Sequence, residues 1–533
     1  MNRPLNRLLL GPIVGHTDAQ STRIWIQVAD DPAWYTLRIA GRGLFPFVST
    51  ENESLEFGTA LAVAEGLDAE RKYRYQVLRL GRLVPGAHGT FRTMPSPGSA
   101  ADVLFVSLSC SEWRRLGAWP LLDTYIKQAK PRFILMTGDQ VYMDLGDTQR
   151  EHIWPAHLDS TPAVRRQAMV YRYQQNWGRE PVRRIMANTP TYMLWSDHDV
   201  RDGWGSWASD SPTLQDKYPR GAAIAAAYNQ FFEDARDVYW HFQACHNPTP
   251  PAFVQLPLQH GLRQAIPFSF QCGRLQVLLL DDRGDRDLWR DSHPVLGDAQ
   301  WTFVKSEFVP NLDANVDVLA IVTQAPIVTM SPNGESQRRL GHRMDDVVLF
   351  SQGKGRELLA LQKHSDTRFE YAEAFVDRVI FKDLLPNNDL HISDFDEARD
   401  QWSHYLSRPE QEELIRVAGT ARTNNRITAA AREVLFLGGD IHSGALFDIS
   451  VSDPGFKTQC LISSGIGQAR GHIVGAVVDD NFEVAPGIRA KLKHFVGAYN
   501  FGITHILFSG GKPVINNFIA HPGDSSYLTV KLL

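Results

Sequence analysis

The rhythm of apolar positions changes near residue 100. Before it, residues 23–29, 34–40, 72–80 and 89–94 alternate apolar with polar side chains or carry β-branched and aromatic ones, with Gly, Asp and Pro between them. Short strands at that spacing predict a small sandwich. Beyond Asp102, short unbroken apolar runs at 103–106, 133–136, 192–195, 277–280, 318–322 and 434–437 alternate with longer helical segments. Such runs fit strands buried on both faces, hence a layered α/β unit. Two prolines and a glycine in residues 94–100 mark a linker between the two patterns. The expected division is a β-sandwich of fibronectin or immunoglobulin type over 1–95 and an α/β unit over 96–533. Residues 335–400 are more charged and less patterned, and read as an insertion with helical pieces.

The residues at the ends of the six runs carry the chemistry. The runs lead in turn to Ser109-Cys110, to Gly138-Asp139 with Tyr142 and Asp144, to Asp197-His198-Asp199, to Asp281 with Arg283 and Arg286, to Thr323-Gln324, and to Asp440 with His442. In open α/β sheets ligands collect outside the carboxyl ends of the strands, so six such edges point to one cleft. Asp139, Asp197 and Asp440 are hard oxygen donors, and clustered carboxylates repel unless cations compensate them. Cys110 and His442 are softer, and Tyr142 offers a phenolate. A set of both kinds suggests two metals of different hardness. Such a pair can clamp a phosphoryl group and make hydroxide from water near neutral pH. His198, beside the ligand candidate Asp197, suits protonation of a leaving oxygen. Arg283 and Arg286 suit a fork onto phosphate. The tryptophans between residues 113 and 240 read first as packing, with an aromatic wall of Trp113, Trp204 and Trp207 over the cleft as the alternative.

Composition removes other classes. Among 533 residues, 43% are hydrophobic and 22% charged, the range of soluble globular proteins. The net charge of −5 gives no basic footprint for nucleic acid. No apolar run approaches a membrane span. The four cysteines lie too far apart for a disulfide framework and read as mostly buried thiols. The N-terminus carries no export signal, so the chain as given reads as cytoplasmic, or as periplasmic or secreted if trimmed.

The ordered set of motifs resembles a known family. Gly138-Asp139-x-x-Tyr142 is similar to the iron-holding motif of purple acid phosphatases. The whole set resembles PhoD-like alkaline phosphatases of the metallophosphoesterase superfamily over nearly all of residues 8–470. Ser109-Cys110 matches the pair that replaces the usual first metal Asp. Trp195-Ser196-Asp197-His198-Asp199 matches Trp-Asp-Asp-His-Glu with Ser for the first Asp and Asp for Glu. Asp281–Arg286, Gly438–His442, Leu296-Gly-x-x-Gln300 and Asp400-x-Trp402 complete the likeness.

The resemblance implies two mixed sheets flanked by helices. It implies ferric iron and calcium, with manganese, zinc or cobalt as alternatives. Cys110, Asp139, Tyr142 and His442 would hold the iron-like site, with Asp139 bridging to Asp197 and Asp440 on the second cation. His198, Arg283 and Arg286 would act on a small phosphate ester. The implied activity is phosphomonoester hydrolysis, with diester hydrolysis as a companion activity. A phospholipase D-like diesterase is the near alternative, and a non-catalytic binding protein on a retained phosphatase fold the distant one.

Overall fold

A computed structural model describes residues 7–51, 56–145, 153–154, 156–206, 222–288, 290–331, 400–404, 406–426, 430–468, 478–508 and 512–523. Most of the insertion expected at 335–400, and Trp207, lie outside the described residues.

The N-terminal part forms two antiparallel four-stranded sheets. One pairs Leu8–Thr17, Thr22–Val28, Thr59–Ala64 and Val48–Ser49; the other pairs Gly43–Pro46, Tyr35–Ile39, Lys72–Arg79 and Arg82–Arg92. Inward residues such as Val14, Ile24, Ile26, Leu37, Tyr75 and Val77 make one core between them. Sequence pattern finds Thr22–Val28, Tyr35–Ile39, Lys72–Arg79 and the end of Arg82–Arg92, and misses Leu8–Thr17 and the central Thr59–Ala64. Leu8–Thr17 is buried almost throughout and pairs with register shifts, so it shows no period-two alternation.

Two larger mixed sheets make up the rest of the body. The first runs, in spatial order, Thr191–Leu194, Phe133–Thr137, Val103–Leu108, Phe501–Leu507 and Val514–Ala520. Its first three strands are parallel. The second has eight strands, with a parallel core of Leu275–Leu279, Val318–Val322, Glu433–Gly438 and Phe456–Ser463. The continuous apolar runs now have their cause. Phe133 and Leu135 meet Val277, Leu279, Val318 and Leu435 in a core shared by both sheets. Ile134 and Met136, one residue out of phase, enter a second core with the helices Pro162–Trp177 and Ala222–Phe242. Leu278, Ile321 and Phe436 face a third core with the helix Arg408–Ala421. Apart from the partly buried Leu104, every position of the six runs is buried, so no polar residue marks a solvent face. Among the described residues, no helix is long and apolar enough to cross a membrane.

The N-terminal sheets are seated on this body rather than strung from it. Trp25 belongs to the core that holds Trp177 and Phe242, and its Nε1–H donates to the His241 carbonyl at 2.9 Å. Tyr192 donates to the Thr17 carbonyl at 3.0 Å, and Tyr75 to the Ala187 carbonyl at 2.8 Å. Truncating a fully buried aromatic costs about 3–5 kcal/mol. Trp25→Ala should therefore lower the stability of the whole molecule by that amount in denaturant titration. A loss under about 1 kcal/mol would mean that the contact between the two parts adds little.

Candidate metal centre

The parallel strands of both sheets end along one edge. Val103–Leu108 leads to Cys110, Phe133–Thr137 to Asp139, and Glu433–Gly438 to Asp440 and His442. All four of these residues sit in the left-handed region, with φ of 60°, 51°, 67° and 56°. L-residues there cost about 1–3 kcal/mol each and persist where the surroundings impose them. The bends turn four donor side chains back over the strand ends. Two glycines let the loops approach. A Cβ on Gly138, at φ 113°, would lie 2.7 Å from Ser196 Cβ, and one on Gly439 would lie 2.7 Å from Ser109 Cβ.

The structure brings together the six residues expected as ligands. Donor atoms of Cys110, Asp139 and His442 lie within 4.8 Å of one another, and so do those of Asp139, Asp197 and Asp440. Cys110 Sγ and Tyr142 Oη are each 3.3 Å from Asp139 Oδ2, and Tyr142 Oη is 3.1 Å from His442 Nε2. Asp139 is thus common to a soft group and a hard one. Its Oδ1 is buried without a hydrogen-bond partner. A buried carboxylate oxygen left bare is costly, and a cation is what this donor set would satisfy. The residues fit the two ions the resemblance implies.

The charges agree. Burial, then Asp197 and Asp440, push Asp139 well above the usual carboxylate range. Burial and Asp197 also raise Asp440, against Arg283. Burial would raise Asp197 too, but Arg283 and His198 hold it below its ordinary value. Burial and Asp139 raise the Cys110 thiol. A cation reverses each upward push, because it favours the charged form of every ligand.

The two arginines expected to fork onto phosphate meet protein groups. Arg283 is fully buried and donates to Asp400 Oδ1 at 2.9 Å, to the Trp204 carbonyl at 3.1 Å and to Asp440 Oδ1 at 3.4 Å. It is 3.6 Å from Asp197 Oδ1. Arg286, also buried, donates to the Asp400 carbonyl at 3.1 Å. Trp204 is buried under Phe232, and Trp113 lies beneath Arg172, so packing accounts for both. His198 packs against Tyr142 with ring centroids 4.3 Å apart and the rings tilted by 37°. Asp199 accepts from the backbone N–H groups of Ser196 and Gln140 and from Gln243 and Tyr173, which ties three segments behind the site. Burial raises it to about 7.

Two contributors are not placed at the site by the six runs. Ser464 Oγ lies 3.0 Å from Cys110 Sγ and accepts the His442 N–H at 2.7 Å. It comes directly after Phe456–Ser463, a seventh parallel strand whose buried end carries the same signal as the other six. Asp400 reaches Arg283 across 117 residues, a pairing local sequence does not show.

Two mixed sheets packed face to face, with acidic and soft donors along the carboxyl edge of their parallel strands, define a metallophosphoesterase-type fold. The family model of the PhoD-like phosphatases matches residues 105–476, and the chain belongs to that family. Its structure is similar to that of PhoD, with a TM-score of 0.58 and 14% identity over 98% of this chain and 92% of that one. A purple acid phosphatase from yellow lupin seeds also matches, with a TM-score of 0.42 and 11% identity over 97% of this chain and 75% of that one. No curated protein sequence matches the chain.

Asp282 gives a test of the electrostatics beneath the edge. Its Oδ2 accepts the Ala325 N–H at 3.0 Å, while Oδ1 has no hydrogen-bond partner. Burial raises its carboxyl to about 7, with Arg283 and Arg286 opposing. A carboxyl raised on folding holds its proton longer in the native state, so its stabilising share is lost as pH climbs from about 4 to about 7. Asp282→Asn should raise the melting temperature at pH 8, with the gain shrinking towards pH 4. A gain of equal size at both pH values would contradict the assignment.

Proposed function

We propose that the protein hydrolyses small phosphomonoesters with the help of two cations held by six of its side chains. Its family supports phosphoester hydrolysis; the cations, the residue roles and the ester class are this reading's own. The observation that carries it is Asp139, a buried carboxylate common to a soft donor group and a hard one, with one oxygen bare.

Cys110, Tyr142 and His442 would hold the softer site with Asp139, which suits ferric iron. Asp197 and Asp440 would hold the harder site with Asp139, which suits calcium; manganese, zinc or cobalt are the alternatives. When bound, the pair supplies Lewis acidity and lowers the pKa of water. The protein does the rest. Arg283 holds Asp197 and Asp440 in place through its guanidinium, itself anchored by Asp400. In this reading Arg283 sets the carboxylates rather than gripping the ester, and Arg286 meets the Asp400 carbonyl behind it. His198 gives a proton to the leaving oxygen of the ester. The same residues serve diester hydrolysis, the neighbouring activity. The division into a sandwich over 1–95 and a catalytic part over 96–533 belongs to this reading too, supported by the strand change between Arg92 and Val103.

Asp139→Ala should abolish turnover and lower bound metal by more than one equivalent, whereas Asp440→Ala should empty mainly one site. Normal metal content and activity in Asp139→Ala would remove the two-cation reading. If iron sits beside Tyr142 and Cys110, the loaded protein is coloured by charge transfer, and Tyr142→Phe should alter that absorption with the fold intact. A colourless, iron-free and fully active enzyme would keep the phosphatase and remove the iron.

A further inference from the structure

The second N-terminal sheet has a charge unlike that of the chain. Its strands Gly43–Pro46, Tyr35–Ile39, Lys72–Arg79 and Arg82–Arg92 carry Arg38, Lys72, Arg74, Arg79, Arg82 and Arg92, and no Asp or Glu. The whole chain carries −5. Leu37, Ile39, Tyr73, Tyr75 and Val77 fill the sandwich core, so strand alternation turns Arg38, Lys72 and Arg74 out to water. Arg79 pairs with Asp30 at 2.7 Å, and Arg92 approaches Glu70 at 3.9 Å. Among the described residues, Arg38, Lys72, Arg74 and Arg82 have no acidic partner.

One end of the same sheet is apolar. Arg79 and Arg82 are joined by a two-residue turn, Leu80-Gly81, with φ of 47° and 78°. Positive φ at both positions of a hairpin tip favours Asn, Asp or Gly. Leucine stands there instead, 63% exposed. Its N–H donates to the Trp34 carbonyl at 2.8 Å. Trp34 is 42% exposed, and Leu83, just past the turn, 55%. Single exposed apolar side chains are ordinary, but three at one tip make a patch. The Arg79 guanidinium lies over the Trp34 ring, 5.0 Å from its centroid.

We propose that this sheet docks the protein on an anionic phospholipid bilayer. Trp34, Leu80 and Leu83 enter the headgroup boundary, and Arg38, Lys72, Arg74 and Arg82 meet lipid phosphates. Tryptophan suits that boundary because its ring is apolar and its N–H polar. Basic side chains beside it are drawn to the negative surface. A polyanion such as nucleic acid would use the charges but give the leucines nothing to enter, so the bilayer accounts for both features. None of these residues belongs to the metal edge, so the proposal stands apart from the ester reading.

The test mixes the full chain with vesicles of phosphatidylcholine alone, or of phosphatidylcholine and phosphatidylglycerol in equal parts, and reads bound protein by sedimentation. Poly(U) RNA is the polyanion without an apolar layer. Binding is expected to the mixed vesicles, weakening as salt rises, and not to phosphatidylcholine alone. Each basic side chain at an anionic surface contributes about fivefold, so Lys72→Gln with Arg74→Gln should lower partitioning roughly 25-fold. Asparagine suits the turn better than leucine. Leu80→Asn should therefore keep or raise the melting temperature while lowering partitioning about tenfold. Lipids brominated in their acyl chains should quench a share of tryptophan emission that Trp34→Phe removes. Turnover of nitrophenyl phosphate in solution should be unchanged in all these variants.

No binding to the mixed vesicles, or equal binding to both kinds, would overturn the proposal. So would full binding by Leu80→Asn together with no quenching by the brominated lipids. Binding to poly(U) without binding to vesicles would make the sheet a polyanion surface instead. Vesicle binding lost in Asp139→Ala, or on adding glycerol phosphate, would put the headgroup at the metal edge and overturn it as well.

Discussion

Three carboxylates share one buried edge, and much of the structure answers that constraint. Asp139, Asp197 and Asp440 bring oxygen atoms within 4.8 Å of one another, the first two buried and Asp440 partly so. Burial and mutual repulsion both disfavour the charged forms there. Part of the compensation is built in. Arg283 stands fully buried against two of the three, and Asp400 keeps that guanidinium in place from a distant part of the chain. One oxygen of Asp139 has no hydrogen-bond partner, and the proposed cations would supply the rest of the compensation.

The fold provides the rigidity such a site needs. Strands buried on both faces cannot slip register without exposing apolar side chains. Their ends are therefore fixed, and short left-handed bends at Cys110, Asp139, Asp440 and His442 carry that precision to the donors. Gly138 and Gly439 leave the room through which loops from the two sheets meet. The N-terminal sheets brace the helices Pro162–Trp177 and Ala222–Phe242 through Trp25. The first of those helices in turn supplies Tyr173 to Asp199, behind the site.

Much of this is legible in the sequence for a physical reason. A strand with no polar face gives an unbroken apolar run, and the first polar residues beyond it fall at the sheet edge. Six runs locate Cys110, Asp139, Asp197, Asp281, Gln324 and Asp440 by that rule alone. Ser464 obeys it too, but its strand carries Lys457, Thr458 and Gln459 directly after Phe456 and is more polar in its first half. The rule says where a side chain starts and not what it meets. Arg283 and Arg286 therefore look ready for phosphate, while their partner Asp400 lies more than a hundred residues on. Asp144 is in view beside a motif, but only the packing of two loops shows that it faces His198. The closing strands Phe501–Leu507 and Val514–Ala520 extend the first sheet by antiparallel pairing, which no local chemistry announces.

The measurement that bears most directly on this account is elemental analysis of the native protein, purified without chelator, alongside its phosphatase activity. The account predicts two bound metal ions per chain, with activity lost on chelation and restored by adding the metals back. Full phosphatase activity from protein that binds no metal would contradict it.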